Sequence, residues 1–175
     1  MKIGIIGLGV VGKTIFKAFK KLNHTCYGID KHNSDEIIKL NNCEIIYVCL
    51  PTNHSIEGLK TNLITKYLYK LNKMKFKGIV AIKSTLNPGD TQKFIRKYKF
   101  LKKRICFVPE FLRERCSYKD FTKSHDLLLI GTEDKKNCKK IIKSHGKYPK
   151  KISIVNTNEA ELIKIFSNAY NAARI

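Results

Sequence analysis

A glycine-rich turn near the start of the chain has the spacing of a dinucleotide-binding loop. Gly7, Gly9 and Gly12 form a G-x-G-x-x-G pattern directly after a short apolar run. In such a turn the first glycine permits the tight bend, the second lets the backbone approach a pyrophosphate, and the third lets helix and strand pack closely. The helix that follows offers free N–H groups and a partial positive charge to the phosphates. The pattern therefore predicts a pyrophosphate-binding site formed by Gly7, Gly9, Val10, Val11 and Gly12.

Asp30 is the expected ribose ligand of the same dinucleotide. It ends the second predicted strand, 18 residues after Gly12. A carboxylate at this place accepts hydrogen bonds from both ribose hydroxyls and repels a 2′-phosphate, so the sequence favours NAD over NADP. The basic neighbours Lys31 and His32 weaken that preference, and Lys31 is included among the expected cofactor contacts.

The same turn also satisfies the P-loop pattern G-x-x-x-x-G-K-[ST], with Lys13 and Thr14 after the last glycine. In a nucleotide kinase or ATPase, Lys13 would bind terminal phosphates and Thr14 would hold magnesium. A P-loop also needs an apolar strand that ends in a metal-holding aspartate, and only residues 26–30, interrupted by a glycine, offer one. Gly9 is required only in the dinucleotide turn. We therefore prefer the dinucleotide interpretation, in which Lys13 and Thr14 are ordinary surface residues of the helix, and keep the P-loop as an alternative.

Apolar periodicity predicts that strands and helices alternate along the chain. The predicted strands are 2–6, 25–30, 44–50, 78–83, 104–108, 127–130 and 152–155, and the predicted helices are 10–22, 59–71, 91–100, 134–144 and 158–175. This order indicates an α/β fold, a doubly wound, mainly parallel sheet of Rossmann type. Residues 1–156 are the expected NAD-binding domain and 157–175 the start of a central connecting helix, capped by Asn158 and Glu161. Ligands should bind where the strands end, after residues 6, 30, 50, 83 and 108.

The composition predicts a folded domain with a basic surface. The 175 residues include 35 Lys and Arg and 14 Asp and Glu, with a formal net charge of +21 and 43% hydrophobic residues. That apolar fraction supports a real core and argues against disorder. No run approaches the roughly 18 apolar residues of a membrane span. Because the lysines are spread along the whole chain, we expect a solvated surface rather than a nucleic-acid partner.

The cysteines and histidines show no metal-ligand spacing. Six cysteines occur without a C-x-x-C pair, and several lie in apolar runs. They are expected to be free thiols in a reducing compartment, and the N-terminus lacks the cleavage site of a signal peptide, so a cytoplasmic location is expected. The five histidines are expected to lie in loops, and no metal site is predicted.

Four strings downstream of the glycine turn carry a family resemblance. They are V-C-L-P-T at 48–52, I-K-S-T-L-N-P-G-D-T at 82–91, V-P-E-F-L-R-E at 108–114 and A-E-L-I-K-I-F-S-N-A at 160–169. In this order they resemble the UDP-glucose/GDP-mannose 6-dehydrogenase family, and the last two strings are its specific part. The resemblance extends over essentially the whole chain, but it covers only the N-terminal, NAD-binding part of the family's pattern.

The resemblance implies an activity and individual roles. Members of that family oxidise the C6 alcohol of a nucleotide sugar to a carboxylate, and two NAD molecules accept the hydrides by way of an aldehyde-level thioester. Thr85 resembles the threonine that helps hold a catalytic water, and Glu110 the glutamate of acid–base work or water positioning. Lys164 and Asn168 resemble the pair that stabilises the developing oxyanion. Their spacing of four residues places both on one helix face, as an oxyanion site requires.

Further contacts follow from the same resemblance. The implied substrate contacts are Glu110, Phe111, Leu112, Arg113, Lys164 and Asn168. The implied cofactor contacts beyond the glycine turn are Pro51, Thr52, Ser84, Thr85 and Glu114.

The family's nucleophilic cysteine lies beyond the central helix and has no counterpart in this sequence. The resemblance therefore implies that full oxidation of a sugar needs a missing part, supplied in cis or by a partner chain. A free-standing NAD-binding oxidoreductase or regulatory module is the alternative. The last helix carries a wide apolar surface, formed by Leu162, Ile163, Ile165, Phe166, Ala169 and Tyr170. It would mediate a homodimer, as the corresponding family helix does, or close the core of the domain itself.

Overall fold

Strands and helices alternate along the chain, as the apolar pattern predicts. The computed structural model describes residues 1–56 and 58–174, and the side chains of residues 31–35 lie outside that description. The strands are β1 (Lys2–Ile6), β2 (Thr25–Ile29), β3 (Ile45–Val48), β4 (His54–Ser55), β5 (Gly58–Leu59), β6 (Ile79–Ile82), β7 (Ile105–Phe107), β8 (Leu127–Gly131) and β9 (Lys151–Val155). The α-helices are α1 (Val10–Lys21), α2 (Asn62–Lys73), α3 (Asp90–Lys97), α4 (Ser117–Thr122), α5 (Lys136–His145) and α6 (Thr157–Ala173). Short 3-10 segments are Lys31–Leu40, Lys99–Leu101 and Glu114–Cys116.

Seven strands form one sheet in the order β2-β1-β3-β6-β7-β8-β9. Every neighbouring pair is parallel except β7 and β8, which pair antiparallel at Phe107 and Gly131. The predicted Rossmann-type α/β fold is therefore confirmed, and each of the seven predicted strands is present. The hairpin of β4 and β5 and the helix α4 have no counterpart in the prediction, because segments this short carry no periodicity.

Helices cover both faces of the sheet. Successive residues of one strand enter opposite apolar layers, so that Ile5 and Tyr47 pack towards α1, α4 and α5. Their neighbours Ile6 and Val48 pack towards α2, α3 and α6. Because both faces are buried, β3 and β6 are apolar along their whole length, which is typical of parallel strands in α/β proteins. No helix within the described residues is long and apolar enough to cross a membrane.

The start of α6 differs from the prediction. Asn156 and Glu159 form the capping box, in which each side chain accepts a hydrogen bond from the backbone of the other. The predicted capping pair, Asn158 and Glu161, is therefore wrong. It has the same N-x-x-E spacing as the observed pair but lies two residues later in the chain. β9 ends at Val155, and this fixes which asparagine caps the helix. The division of the chain into residues 1–156 and 157–175 stays a prediction.

His145 departs from the prediction that the histidines lie in loops, whereas His24 and His125 lie outside helices and strands as predicted. His145 is the last residue of α5 and is fully buried. Its ring packs against the rings of Phe19, Tyr47 and Phe121, at centroid distances of 5.4, 5.8 and 5.6 Å. His125 follows α4 and lies 5.7 Å from the same ring. Histidine spacing in the sequence does not reveal this aromatic cluster, because its members come from five separate segments.

Candidate functional site

A cavity of about 440 Å³ opens where β1, β3, β6 and β7 end. This is the edge of the sheet at which parallel α/β folds bind ligands. Its walls come from the glycine turn, from the segments after β3 and β6, and from the segment after β7. The lining residues are Gly9, Val10, Val11, Cys49, Leu50, Pro51, Thr52, Lys83, Ser84, Thr85, Glu110 and Glu114. The structure thus brings nine of the predicted site residues to one cavity.

The geometry of the glycine turn fits a pyrophosphate. Gly7 has a φ of +91°, and a Cβ there would lie 2.5 Å from the carbonyl oxygen of Cys49. A Cβ on Gly12 would overlap the carbonyl oxygen of Gly7, so this glycine serves the close approach of turn and helix. Gly9 has no such neighbour within 4 Å, and it faces the cavity. No side chain caps α1 at Gly9, so the N–H groups of its first turn stay available for an anion.

The P-loop alternative is not supported by the position of Thr14. Its side chain is buried, and its Oγ1 lies 2.7 Å from the Oγ of Ser117 at the start of α4. A hydroxyl used between two helices does not face a phosphate-bound magnesium. The expectation that Thr14 is a surface residue is therefore wrong, while Lys13 is exposed as expected.

Asp30 follows β2 directly and is half-buried. It lies beside the glycine turn, because the N–H of Gly7 donates to the carbonyl oxygen of Ile29 at 2.8 Å. It does not line the cavity, because it follows β2, which lies on the other side of β1 from β3, β6 and β7. Lys31, the other expected contact of this region, has its side chain outside the described residues.

Two buried lysines hold the segment that follows β7. The Nζ of Lys83 donates to the carbonyl oxygen of Val108 at 3.1 Å, and that of Lys164 donates to the carbonyl oxygen of Glu110 at 2.6 Å. Their exposed fractions are 3% and 6%. Burial lowers the pKa of Lys83 to about 8. Burial also lowers the pKa of Lys164, and the nearby Glu110 opposes that shift.

Lys83 is a site residue that sequence reasoning missed. It follows the apolar strand β6 without a break, and this position is the one signal that could have identified it. In a chain so rich in lysine, no single lysine stands out by residue type. Its burial becomes visible only when the ends of β3, β6 and β7 are assembled.

The segment after β7 forms a compact turn. The Oε2 of Glu110 accepts a hydrogen bond from the N–H of Leu112 at 2.7 Å. The guanidinium of Arg113 makes two hydrogen bonds to Asp120, at 3.0 and 2.8 Å, and the N–H of Arg113 donates to the same carboxylate. These hydrogen bonds hold the pKa of Asp120 well below its usual range. The Arg113 side chain is therefore engaged within the domain.

A second cavity of about 820 Å³ lies between this turn and α6. Phe111, Leu112 and Arg113 line one wall, and Ile163, Ser167 and Asn171 of α6 line another. Asn168 is exposed and lines neither cavity. The structure thus places Lys164 against the Glu110 turn but does not bring Asn168 to the same point.

Ser84 and Thr85 follow β6 and have different surroundings. The buried Ser84 hydroxyl accepts from the N–H of Leu50 at 2.9 Å and donates to the carbonyl oxygen of Val48 at 3.4 Å. It therefore ties the end of β6 to the end of β3. Thr85 is half-buried and faces the cavity.

Glu161 anchors α6, and through it Lys164. Its carboxylate is fully buried and accepts hydrogen bonds from the N–H of Gly89 at 2.6 Å and from the N–H and hydroxyl of Thr91 at 2.8 and 2.6 Å. Burial raises the pKa of Glu161, and these three donors oppose that shift. One turn of helix separates this anchor from Lys164.

Comparison with known proteins identifies the family of this chain. The model of the UDP-glucose/GDP-mannose dehydrogenase family, NAD binding domain, matches residues 33–147. The UDP-glucose 6-dehydrogenase of Campylobacter jejuni is 29% identical, over all of this chain and 53% of that protein. The UDP-glucose 6-dehydrogenase of Streptococcus pneumoniae is 29% identical, over 75% of this chain and 36% of that protein.

Solved structures show the same fold. A ternary complex of GDP-mannose dehydrogenase from Pseudomonas aeruginosa has a TM-score of 0.85 at 21% identity, covering 99% of this chain and 50% of that one. The UDP-glucose dehydrogenase of Pyrobaculum islandicum has a TM-score of 0.82 at 19% identity, covering 97% of this chain and 49% of that one. The chain thus spans about half the length of the first of these relatives. It belongs to the UDP-glucose/GDP-mannose dehydrogenase family, in which it corresponds to the NAD-binding domain, and its cofactor is NAD.

Proposed function

We propose that this chain supplies the cofactor-binding half of an NAD-dependent dehydrogenase that oxidises an alcohol group of a nucleotide sugar. The observation that carries the proposal is the buried ammonium of Lys164, which donates to the carbonyl oxygen of Glu110, a residue that lines the smaller cavity. The curated relatives that are named UDP-glucose 6-dehydrogenase support the substrate class.

The residues around the cavity have the chemistry that such an oxidation needs. NAD, when bound, accepts a hydride from the alcohol carbon. The Lys164 ammonium has three donors and uses one on the Glu110 carbonyl oxygen, so two remain for an oxygen that gains negative charge. Glu110 carries a carboxylate at the cavity wall that can relay the hydroxyl proton through water. The Thr85 hydroxyl faces the same space and can hold that water.

We assign the larger cavity to the nucleotide sugar. Its wall of Phe111, Leu112 and Arg113 offers mainly backbone groups, because Asp120 already occupies the guanidinium of Arg113. Asn168 lies one turn beyond Lys164 on α6, and in this proposal it contacts the substrate only when the sugar is bound. Pro51, Thr52 and Glu114 line the smaller cavity, of about 440 Å³. In this proposal they contact NAD there.

The proposal extends to assembly and location. Leu162, Phe166 and Tyr170 of α6 are 50%, 77% and 62% exposed, and this apolar face supports a homodimer through α6. The six cysteines are free thiols, which supports a cytoplasmic location. Sedimentation at two protein concentrations tests the dimer, since a monomer that is independent of concentration contradicts it.

Calorimetric titration of UDP-glucose into the NADH-saturated chain tests the substrate class. We expect binding that requires both the nucleotide and the sugar. Lys164→Met should weaken the affinity for UDP-glucose by about tenfold or more, because an ammonium near the sugar is lost. The exposed Lys13, changed to Met, is the matched control and should leave this affinity unchanged. If NADH binds and UDP-glucose does not, the assignment of the larger cavity to this nucleotide sugar is wrong.

A further inference from the structure

Lys83 is a buried charge for which the proposed oxidation has no role. Among the lysines whose side chains the structure describes, only Lys83 and Lys164 are buried. Removing an ammonium from water costs several kcal/mol unless its surroundings compensate. The hydrogen bond that the structure describes for the Lys83 side chain goes to a neutral group, the carbonyl oxygen of Val108. The charge therefore needs an explanation beyond its contribution to packing.

The groups that face Lys83 leave its charge incompletely balanced. They are Tyr47 of β3, whose ring centroid lies 5.7 Å from Nζ, Cys49 after β3, Glu110 after β7, Lys164 of α6, His145 of α5 and His125 before β8. Glu110 is the one acidic side chain among these described groups, and it also faces Lys164. Burial raises the pKa of Cys49 to about 12 and that of Tyr47 further still, so both are neutral near pH 7.

The topology places Lys83 towards one end of the dinucleotide. In the sheet, β2 lies on one side of β1, and β3, β6 and β7 lie on the other. A dinucleotide lies across such a switch point, with its pyrophosphate on the glycine turn. If the adenosine ribose binds Asp30 after β2, the nicotinamide half extends over the ends of β3 and β6. Lys83 lines the cavity at that end.

We propose that the Lys83 ammonium makes the site prefer reduced over oxidised cofactor. The nicotinamide ring is a cation in NAD⁺ and neutral in NADH, whereas the pyrophosphate and both riboses are the same in the two forms. A fixed positive charge at the nicotinamide end therefore weakens NAD⁺ relative to NADH. This inference rests on the proposed function and deepens it. In the proposed oxidation the nicotinamide ring loses its charge as it takes a hydride from the alcohol carbon, so the Lys83 charge favours the product form of the cofactor.

The ratio of the dissociation constants of NAD⁺ and NADH, measured by calorimetry at pH 7, tests the proposal. Lys83→Met removes the charge at similar volume, and it should lower that ratio by about three- to tenfold. Lys83→Arg keeps the charge, and its ratio of dissociation constants should stay within about twofold of that of the original protein. Lys13→Met removes an exposed charge from the first turn of α1, and it should leave the ratio unchanged. A Lys83→Met protein that binds both forms with the original ratio overturns the proposal.

A second measurement covers the case in which Lys83→Met does not fold. Because burial lowers the pKa of Lys83 to about 8, the ratio in the original chain should fall as the pH rises from 7 to 9.5. Lys164 also has a lowered pKa, so the same titration in Lys164→Met should keep this fall. A flat ratio, or a fall that disappears in Lys164→Met, overturns the proposal.

The two proposals can fail separately. If no nucleotide sugar binds while the ratio depends on Lys83 as expected, only the substrate assignment fails. If neither NAD⁺ nor NADH binds to the original chain, the cofactor assignment and this inference fail together.

Discussion

The glycine turn and the Glu110–α6 region are built in opposite ways. In the turn, Gly7, Gly9 and Gly12 lie within six consecutive residues, and the site consists of backbone groups. In the other region, Lys164 contacts Glu110 across 54 residues of sequence, and Glu161 contacts Gly89 across 72. A site made of adjacent backbone is visible as a pattern of residue types. A site made of distant side chains depends on how the elements pack.

The largest effect is expected from a change inside the turn. Gly12→Ala places a Cβ into the carbonyl oxygen of Gly7, so the turn must distort, and we expect a loss of about 3 kcal/mol in the free energy of unfolding and loss of NAD binding. Gly9→Ala is the matched control, because its Cβ enters open space at the cavity. The Gly9→Ala variant should keep the free energy of unfolding of the original protein, but it should bind NAD more weakly. Urea unfolding and NAD titration measure both variants, and equal stability losses would contradict the different roles of the two glycines.

A change at the α6 anchor should separate the two regions. Glu161→Ala leaves the N–H groups of Gly89 and Thr91 without their acceptor, and we expect a loss of roughly 3 kcal/mol in stability. The control Glu159→Ala removes an exposed capping contact and should cost about 1 kcal/mol. NAD affinity should stay within about twofold in both. A large loss of NAD affinity in Glu161→Ala would show that the turn depends on α6.

The aromatic cluster behind the site should make stability depend on pH. Burial lowers the pKa of His125 to about 4 and that of His145 well below its usual value of 6.5, so the unfolded chain binds more protons. Stability is therefore fully present above pH 6.5 and is lost as the pH falls, by up to about 1.4 kcal/mol per pH unit for each histidine.

Comparing the original protein with His145→Phe isolates this effect. The raised pKa of Glu161 gives stability the opposite dependence on pH under acid conditions, but it does so in both proteins. Unfolding measured between pH 7 and 5 should show a flatter dependence in the variant. Identical slopes would mean that folding does not lower the pKa of His145.

The smallest of these effects concerns cofactor choice beside the turn. Asp30→Arg should weaken the affinity for NAD by about tenfold. NADP should bind as well as to the original protein or better, because a carboxylate that repels a 2′-phosphate is replaced by a cation. Titration with both cofactors checks this. Equal losses for NAD and NADP would show that Asp30 does not contact the ribose.

The strand–helix order, the doubly wound sheet and the position of the dinucleotide turn could all be predicted from the sequence. These follow from apolar periodicity and from glycine spacing, which are properties of neighbouring residues. The family resemblance added the Glu110 segment and Lys164, and the chain's membership of that family is confirmed. The local capping pattern predicted the helix cap at Asn158, two residues too late, because two N-x-x-E spacings overlap and only the end of β9 distinguishes them.

Which side chains are buried, and what they contact, depends on how the elements pack in three dimensions. The burial of Thr14 against Ser117 and of Glu161 against α3 depends on helices that are far apart in the chain. Lys83 is the clearest case, since it is one of many lysines and only the assembled strand ends surround it. Burial is the sum of contacts from all the elements around a residue, and a local pattern contains only one of those elements.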